Sequence, residues 1–558
     1  MTGILLLWLA FTPVQTPAGK HIPADQQQHQ YHDPAASAAG NTALVRNLPE
    51  TIRNLIRESG EKRQFNRHLY EFYATRHFQT FWTRPEMVAE MIAAIDGATD
   101  EGLDPQDYHG NEIRELIAGF PLTLDRQALY DVLLTDAYLT LASHLHNGKV
   151  DPGRMEPTWN LTEDASYSAL EYRLQNAVST NRVAAVLQEL RPQQQLYGEL
   201  KKALSRYRSI AKSGGWPSVP EGASLKPGDR DPRVLSLRKR LQASGELAAG
   251  VQDTSKAYSG DIVEAVRQFQ RHNGMEPDGV IGAGTLRALN IPVDRRVDQL
   301  RINMERSRWF LNALGSTYIM VNIPEFSLKY VDNGSKLWNT RVIVGKPSRE
   351  TPVFKADMQY VIFNPQWVIP PTILEKDALP SLRKSTGYLD QKNLRVIDKD
   401  GRVVNPASVN WKEYSASNFP YKLQQTAGDH GSLGRIKFML PNRYIVYLHD
   451  TPSKDLFQKS VRTFSSGCIR VENPQDLARL VLRDSVKWSV SRIKSTIGTG
   501  RTSTVFLPKR IPVFIVYMTA VPSGDELFFR EDVYNRDDTL IKAMGRQAPE
   551  MKTGTAGR

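Results

Sequence analysis

Cysteine is almost absent from the chain, since Cys468 is the only one among 558 residues. A single thiol excludes a disulfide within the chain and a cysteine-based zinc finger, because both need at least two cysteines. The fold must therefore be stabilised by packing. A lone cysteine suits either a reducing cytosol or an exporting organism that avoids stray thiols, so this count leaves the compartment open.

The apolar run at the N-terminus, residues 4–11 (ILLLWLAF), is too short to span a bilayer, which needs about 20 residues. Its length is typical of the apolar part of a secretory signal, but no Lys or Arg precedes Lys20. We interpret residues 1–22 as a degenerate signal segment and expect export. The alternative is a buried apolar N-terminus.

Signatures of nucleic-acid binding are also missing. Lys and Arg number 72 against 60 Asp and Glu, a net charge of +12 that favours acidic partners. The chain has no RNA-binding aromatic signature, no Cys/His finger and no long basic run, so we expect no nucleic-acid partner. His144 and His146 lie two residues apart in a helical window and face different sides, which argues against a zinc pair. We expect neither a metal nor a cofactor.

Length and composition predict several folded units. Apolar residues at 40% and charged residues at 24% are typical of globular proteins, and 558 residues predict three to five domains. Residues 41–213 carry long amphipathic helical windows and few strand signals, which predicts an α-helical scaffold without visible chemistry. The stretch that follows, rich in Gly, Pro and Ser, predicts a linker.

Residues 229–291 predict a small three-helix module. Asp231-Pro232 is a helix-start signal, apolar residues then recur at helical spacing, and Gly274 is placed as a left-handed cap of the second helix. About 60 residues are too few to hold an enzyme core comfortably. We therefore expect this module to bind rather than to catalyse.

From Thr317 the pattern changes to strands separated by turn formers such as Asn333-Gly334. We predict a β-dominated domain over residues 315–530, which makes the chain a multidomain α+β protein. Residues 372–425 interrupt the strands and predict an insertion over the sheet, either a lid or a passive excursion. Residues 547–558 form a polar tail.

The only thiol lies in an environment that suits a nucleophile. Gly467 precedes Cys468 and leaves room for a substrate carbonyl, so the Gly467 and Cys468 amides could face an oxyanion. A free thiol with a pKa near 8.5 is mostly protonated at neutral pH and needs a base or a cation beside it. The alternative interpretation makes Cys468 a buried small hydrophobic residue.

His449, at the end of a predicted strand over 444–449, is the first candidate for that base. Strand alternation places Tyr447 on the same face as the imidazole. His430, in the Gly-rich segment 428–431, is the rival base, although such histidines more often face solvent.

These residues resemble the L,D-transpeptidase signature, which has a histidine, a spacer, then Ser/Thr-His-Gly-Cys followed by an apolar residue and Arg or Asn. The positions that match are His449, Ser465, Gly467, Cys468, Ile469 and Arg470. Ser466 departs from the signature, because many members carry a second histidine there. The Ser-Ser-Gly-Cys variant and the run at residues 449–454 are similar to the larger periplasmic members of Gram-negative bacteria.

The resemblance extends over most of the chain. Residues 266–270 and 278–282 are similar to the two recurrent segments of the peptidoglycan-binding three-helix domain. Residues 364–371, the C-terminal strands and the helical scaffold also resemble this subgroup. The resemblance thus implies a periplasmic protein whose small module binds peptidoglycan.

The resemblance also implies a mechanism. Cys468 is then the nucleophile, His449 its general base, and the amides near Ser466 and Gly467 the oxyanion hole. The donor is a tetrapeptide stem: attack at the L-centre of diaminopimelate expels D-alanine and leaves a thioester. The side-chain amine of a second stem's diaminopimelate resolves this thioester into a cross-link. Carbapenems are the inhibitors expected, and other wall-synthesis proteins are further partners.

Three more residues are candidates for substrate binding. Arg470 is expected either to hold a substrate carboxylate or to orient the site through a carboxylate of the protein. Tyr447 adjoins the imidazole, and Trp367 either lines the pocket or packs at a strand end.

Two alternatives to the transferase remain open. Water as acceptor would make the protein an L,D-carboxypeptidase or another cysteine hydrolase of wall peptides. A non-catalytic wall-binding protein is the other reading, in which the three-helix module is the functional part.

Overall fold

The computed structural model describes residues 47–58, 66–161, 167–248 and 254–545. The predicted signal segment, residues 1–22, and the predicted polar tail, residues 547–558, lie outside these ranges. All of the described residues belong to one unit of the chain.

The first part of this unit is a bundle of helices, as the sequence predicts. Its central helix, α5 (Leu124–Asn147), is buried along most of its length, and Pro85 starts α3 (Pro85–Gly97) at a position where the missing N–H costs nothing. The helices are α1 (Leu48–Glu58), α2 (Asn66–Ala74), α3 (Pro85–Gly97), α4 (Gly110–Ala118), α5 (Leu124–Asn147), α6 (Pro152–Met155), α7 (Tyr167–Ser179), α8 (Val183–Leu190) and α9 (Gln195–Lys212).

The three-helix module follows, with α10 (Arg233–Ser244), α11 (Asp261–His272) and α12 (Ala283–Leu289) around an apolar cluster of its own. Gly274 follows α11 with φ +68°, which confirms the predicted left-handed position. The module is docked on its neighbours, because the Arg240 guanidinium lies 3.8 Å from the ring centroid of Trp216, in the preceding linker.

A long buried helix that the sequence analysis leaves unassigned, α13 (Val293–Phe310), connects the module to the sheet domain. Leu300 and Met304 pack into the core of the sheet domain, whereas Ile302 and Trp309 pack into the core of the scaffold. Its many arginines hide any apolar stripe in the sequence, so periodicity alone does not reveal that the helix is central.

A buried polar network fixes α13 against the scaffold. Arg308 and Glu305 are fully buried and form an ion pair at 2.8 Å. The hydroxyl of Tyr197 accepts a hydrogen bond from Arg308 and donates one to Glu101, each at 2.8 Å. Removing one partner of a buried ion pair costs about 3–5 kcal/mol, so this network holds the scaffold and the sheet domain in one arrangement.

The main sheet of the second half has nine strands in the order β11-β3-β12-β10-β9-β4-β13-β1-β2. β2 also pairs with β3, so the sheet folds back on itself. The strands are β1 (Tyr318–Asn322), β2 (Ser327–Asp332), β3 (Ser335–Gly345), β4 (Phe354–Phe363), β9 (Ile436–Met439), β10 (Leu448–His449), β11 (Thr463–Ser465), β12 (Ile469–Val471) and β13 (Ser503–Val516).

The predicted strand over 444–449 is wrong in its first half. Only Leu448–His449 forms a strand, because Ile445 has φ +57° and the side-chain oxygen of Asn442 accepts the amides of Tyr444 and Val446 in a turn. The turn leads the chain directly past the thiol.

The insertion (residues 367–425) is a small layer with its own core. Its sheet has the order β5-β8-β6-β7 and begins at Trp367, before the predicted boundary at residue 372. The elements are β5 (Trp367–Val368), α14 (Pro371–Ile373), α15 (Leu379–Leu382), α16 (Gly387–Gln391), β6 (Leu394–Ile397), β7 (Val403–Val404) and β8 (Lys422–Gln425), with a π-turn at Leu374–Ala378.

The chain ends in elements that return to the scaffold. Leu540 and Met544 of the last helix pack into the scaffold core. These elements are α17 (Pro474–Leu482), α18 (Val490–Gly498), the hairpin β14 (Ala520–Ser523) and β15 (Glu526–Phe529), and α19 (Asp537–Met544). Within the described ranges, no helix combines the length and the apolar character needed to cross a membrane.

Candidate active site

Three neighbouring strands bring the predicted site residues together. In the register of the sheet, His449 of β10 lies opposite Arg470 of β12 on one side and opposite Lys437 of β9 on the other. Side chains alternate along each strand, so Tyr447 and Cys468 lie on this same face. The rings of Tyr447 and His449 are 5.7 Å apart, which confirms that they are neighbours.

The loop that carries the thiol is held by its own hydrogen bonds. Gly467 has φ +111°, a conformation that favours glycine, and its carbonyl accepts a hydrogen bond from Thr351 at 2.9 Å. The Ser465 hydroxyl donates to the Cys468 carbonyl at 2.5 Å. Hydrogen bonds thus hold the loop on both sides of the nucleophile candidate.

One expectation about this loop is wrong. The Gly467 amide does not face an oxyanion, because it donates to the Ser465 hydroxyl at 3.1 Å. In contrast, the amides of Ser466 and Cys468 donate to no other residue in the described part of the chain. These two N–H groups are the ones that remain available to a substrate oxygen.

Cys468 is partly exposed, and its thiol faces the Ile445 carbonyl at 3.7 Å. Burial raises the pKa of the thiol, whereas the amide and hydroxyl of Tyr447 and the positive charges of Lys437 and Arg470 lower it. The competition between burial and these groups sets how much thiolate is present.

His449 is buried, its Nδ1–H donates to the Asp450 carbonyl at 2.5 Å, and the Leu433 carbonyl is a second hydrogen-bond partner of the ring. Burial and the nearby Arg470 lower the pKa of His449 to about 3, and the imidazole is therefore neutral at pH 7. Among the described residues, the imidazole forms no hydrogen bond with the Cys468 sulfur.

Trp367 packs where the insertion begins, which is one of the two roles considered for it. Its ring is partly buried and packs against the cores of both the main sheet and the insertion. Its indole also faces the Tyr447 hydroxyl and lowers the pKa of that phenol, although burial and the facing Cys468 raise this pKa well above its usual range. The insertion thus reaches the thiol through Trp367 and Tyr447.

Arg470 has no carboxylate partner among the described residues, so the role of orienting the site through a carboxylate of the protein is wrong. Its Nε is buried without a hydrogen-bond acceptor. Burial lowers the pKa of the guanidinium, and the facing Cys468 raises it. The guanidinium is therefore available to the Cys468 thiol and to a ligand bound next to that thiol.

The other histidines lie elsewhere. His430 is exposed in a turn of the segment 428–431, away from any described contact with Cys468. His144 is bonded to the Tyr108 hydroxyl at 3.0 Å, and His146 faces the Leu190 carbonyl at 3.3 Å, so the two rings have separate partners. Within the described ranges, no group of three or more His, Cys, Asp or Glu could hold a metal.

Sequence reasoning missed the contact that joins the insertion to the thiol loop. The Arg349 guanidinium forms a two-point ion pair with Asp377 of the insertion, with Nη2 and Oδ1 at 2.6 Å. The same guanidinium donates to the Ser466 hydroxyl at 3.2 Å. Neither residue lies in a motif, and 28 residues separate them, so no local signal pairs them.

Lys437 was missed as well, although a signal for it exists. Strand alternation in β9 predicts which face it occupies, but only the pairing of β9 with β10 brings it to His449. Its ammonium lies 3.7 Å from the ring centroid of Tyr447.

Three parts of the chain match known domain families. Residues 316–508 match the profile of the L,D-transpeptidase catalytic domain, and residues 67–204 match that of the scaffold domain. Residues 230–289 match a domain provisionally described as peptidoglycan-binding. Three separate segments of the chain therefore match models of a catalytic, a peptidoglycan-binding and a scaffold domain, and the fold is multidomain α+β.

Two curated proteins are similar to parts of the chain. A Haemophilus influenzae protein provisionally named an L,D-transpeptidase is 36% identical over 219 residues, which cover 39% of this chain and 44% of that protein. The N-acetylmuramoyl-L-alanine amidase CwlM of Mycobacterium tuberculosis is 34% identical over 80 residues, 13% of this chain and 20% of the amidase. The matches thus span less than half the length of these relatives.

Two solved structures were also found. The L,D-transpeptidase from Xylanimonas cellulosilytica has a TM-score of 0.16 at 14% sequence identity. The alignment covers 53% of this chain and 98% of the Xylanimonas chain. The Ldtfm–avibactam carbamoyl enzyme has a TM-score of 0.18 at 12% sequence identity. The alignment covers 57% of this chain and 98% of the Ldtfm chain.

Proposed function

We propose that this chain is a peptidoglycan L,D-transpeptidase, an acyltransferase that cross-links two stem peptides through a thioester at Cys468. The observation that carries the proposal is the position of the thiol. Cys468 lies in the matched catalytic domain, on a strand face that also presents a neutral imidazole and two cations without carboxylate partners among the described residues.

The proposed first step forms the acyl-enzyme. The Cys468 sulfur attacks the carbonyl of the L-centre of diaminopimelate, and its proton passes to Nε2 of His449. The amides of Ser466 and Cys468 stabilise the oxyanion, because they are the two free donors of the loop. The C–N bond then breaks, and D-alanine leaves with the proton from His449.

The second step transfers the acyl group. The side-chain amine of a second stem's diaminopimelate attacks the thioester and gives its proton to His449, which returns it to the departing sulfur. The products are the cross-linked dimer and the free thiol. Water in place of the amine would give L,D-carboxypeptidase activity from the same site.

Arg470 is proposed to bind a carboxylate of the donor stem. Its Nε is buried without an acceptor, and a guanidinium is suited to a planar anionic group. Tyr447 and Trp367 are proposed to form the wall of the cleft, because the indole faces the phenol and the phenol faces the sulfur.

The remaining domains are proposed to place this chemistry at the wall. Peptidoglycan lies outside the cytoplasm, and we propose the periplasm as the compartment, with the module around α11 retaining the enzyme on its substrate. The scaffold is a candidate surface for other wall-synthesis proteins.

Acylation by a carbapenem tests the proposal without an acceptor. The strained lactam carbonyl needs only a thiolate, an oxyanion hole and an open cleft. Intact-protein mass spectrometry should show one inhibitor mass added per chain, and none on Cys468→Ala. A folded wild-type protein that is never labelled would favour the non-catalytic wall-binding alternative.

The Arg349–Asp377 ion pair gives a second prediction. Asp377→Ala should release the insertion from the thiol loop and speed carbapenem labelling about threefold to tenfold, since a partly exposed pair contributes about 1 kcal/mol. Glu413→Ala, which removes an exposed carboxylate elsewhere in the insertion, is the matched control. Equal labelling rates in both variants would show that the ion pair does not limit access.

A further inference from the structure

The thiol faces two positive charges that the protein does not neutralise. Lys437 and Arg470 flank the strand that carries His449, and neither forms an ion pair with any residue of the described ranges. The Lys437 ammonium lies over the Tyr447 ring, 3.7 Å from its centroid. Partly buried cations without counter-charges cost free energy, so the site is completed by a negative charge.

Electrostatics point to the Cys468 sulfur as that negative charge. Burial lowers the pKa of Lys437, and the facing Cys468 is the group that raises it again. Conversely, Lys437 is the first of the positive charges that lower the pKa of the thiol. The interaction therefore acts in both directions between the same two residues.

His449 does not provide the positive charge. Its pKa of about 3 leaves the imidazole neutral at the pH where a thiolate is needed, and its Nδ1–H is taken by the Asp450 carbonyl. A neutral imidazole does not supply the cation of the thiolate–imidazolium pair that activates many cysteine nucleophiles.

We propose that Lys437, placed over the Tyr447 ring, supplies the positive charge that stabilises the Cys468 sulfur as an anion. The inference rests on the proposed function only in that Cys468 is the nucleophile. In the proposed reaction the S–H proton passes to Nε2 of His449, and the anionic sulfur is stabilised by a hydrogen bond from the Tyr447 hydroxyl and by the positive charge of the ammonium. A cation over an aromatic ring interacts with its π face, so Lys437 also fixes the ring that presents this hydroxyl.

Other charged or titratable groups also lie around the sulfur. Tyr447 faces it from the residue before β10, and Arg470 faces it from β12, opposite His449 in the register of the sheet. Beyond Ser466 lies the ion pair of Arg349 and Asp377, whose charges largely cancel. Only Lys437 combines a single charge, no carboxylate partner among the described residues and a place outside the sequence motif.

The test is the pH dependence of Cys468 alkylation by iodoacetamide, measured on the full chain from about pH 5 to pH 10. Cys468 is the only thiol, so the rate reports this site alone. Lys437→Met should raise the apparent pKa of the thiol by about one unit and slow alkylation at pH 7 about tenfold. The limiting rate at high pH should be unchanged.

Two further variants separate charge from structure. Lys437→Arg, which keeps the charge, should restore most of the wild-type profile. Lys336→Met removes an exposed lysine at the hairpin end of β3 and should alkylate like the wild type. If Lys437→Met does not fold, Lys437→Gln, which is polar but uncharged, takes its place.

Two results would overturn the inference. An unchanged profile in a folded Lys437→Met or Lys437→Gln variant would show that the ammonium does not act on the sulfur. Equal slowing in Lys437→Arg and Lys437→Met would show that shape, and not charge, matters. Alkylation needs no stem peptide, so this test remains valid even if the protein forms no cross-links. If the test overturns the role of Lys437, Cys468 is still the proposed nucleophile.

Discussion

Cys468→Ala should abolish cross-link formation, with a loss of about 10⁶-fold or to below detection, because removal of a nucleophile removes the covalent path entirely. The midpoint of thermal unfolding should stay within a few degrees of the wild type. The side chain is small and partly exposed, and the hydrogen bonds that hold its loop come from Ser465 and Thr351 and not from the sulfur.

Cys468→Ser is the matched control for this result. The hydroxyl keeps a donor beside the Ile445 carbonyl but is a poor nucleophile without a strong base. Both variants should therefore be inactive and folded. Cross-linking by either variant at a rate near that of the wild type would show that Cys468 is not the nucleophile.

His449→Ala should slow acylation by about 10²- to 10⁴-fold, the usual contribution of a positioned acid–base group. The ring is buried and bonded to the Asp450 carbonyl, so stability will also fall, and His449→Gln is the better comparison because its amide can keep that bond. His430→Ala, which alters only the exposed turn, should leave the rate unchanged.

The pH dependence of the wild type gives a further check on His449. Because burial depresses its pKa to about 3, the imidazole stays neutral as pH falls through 6.5 and becomes charged only near 3. The acylation rate of the wild type should therefore not fall in a step centred near pH 6.5. The pH profiles of the wild type and of His449→Gln should not differ by such a step. A step of that kind would show that the imidazole titrates normally and that the buried arrangement is not the one that reacts.

The motif-based part of the site was predictable from local sequence. Gly467 and Cys468 are adjacent, and a tight turn before the only thiol identifies the loop without knowledge of the fold. The helical scaffold and the β-dominated domain followed from periodicity. The direction of the Gly467 amide was not predictable, because it depends on the rotamer of Ser465.

The electrostatic part of the site was not predictable from sequence. Lys437 comes to lie beside His449 and over Tyr447 only through the pairing of β9 with β10, and a pairing partner is not encoded locally. The Arg349–Asp377 ion pair depends on how the insertion folds back on the sheet. For α13, the buried arginines are satisfied by distant partners such as Glu101 and Tyr197, so a sequence that looks polar becomes core.

Incubation of the full chain with defined tetrapeptide stems, followed by mass analysis of the products, tests the central claim most directly. The account predicts a dimer joined through two diaminopimelate residues, with one D-alanine released per cross-link and no product from Cys468→Ala. Accumulation of trimmed tripeptides without dimer would make the protein an L,D-carboxypeptidase. Unchanged stems with folded wild-type protein would contradict the catalytic assignment altogether.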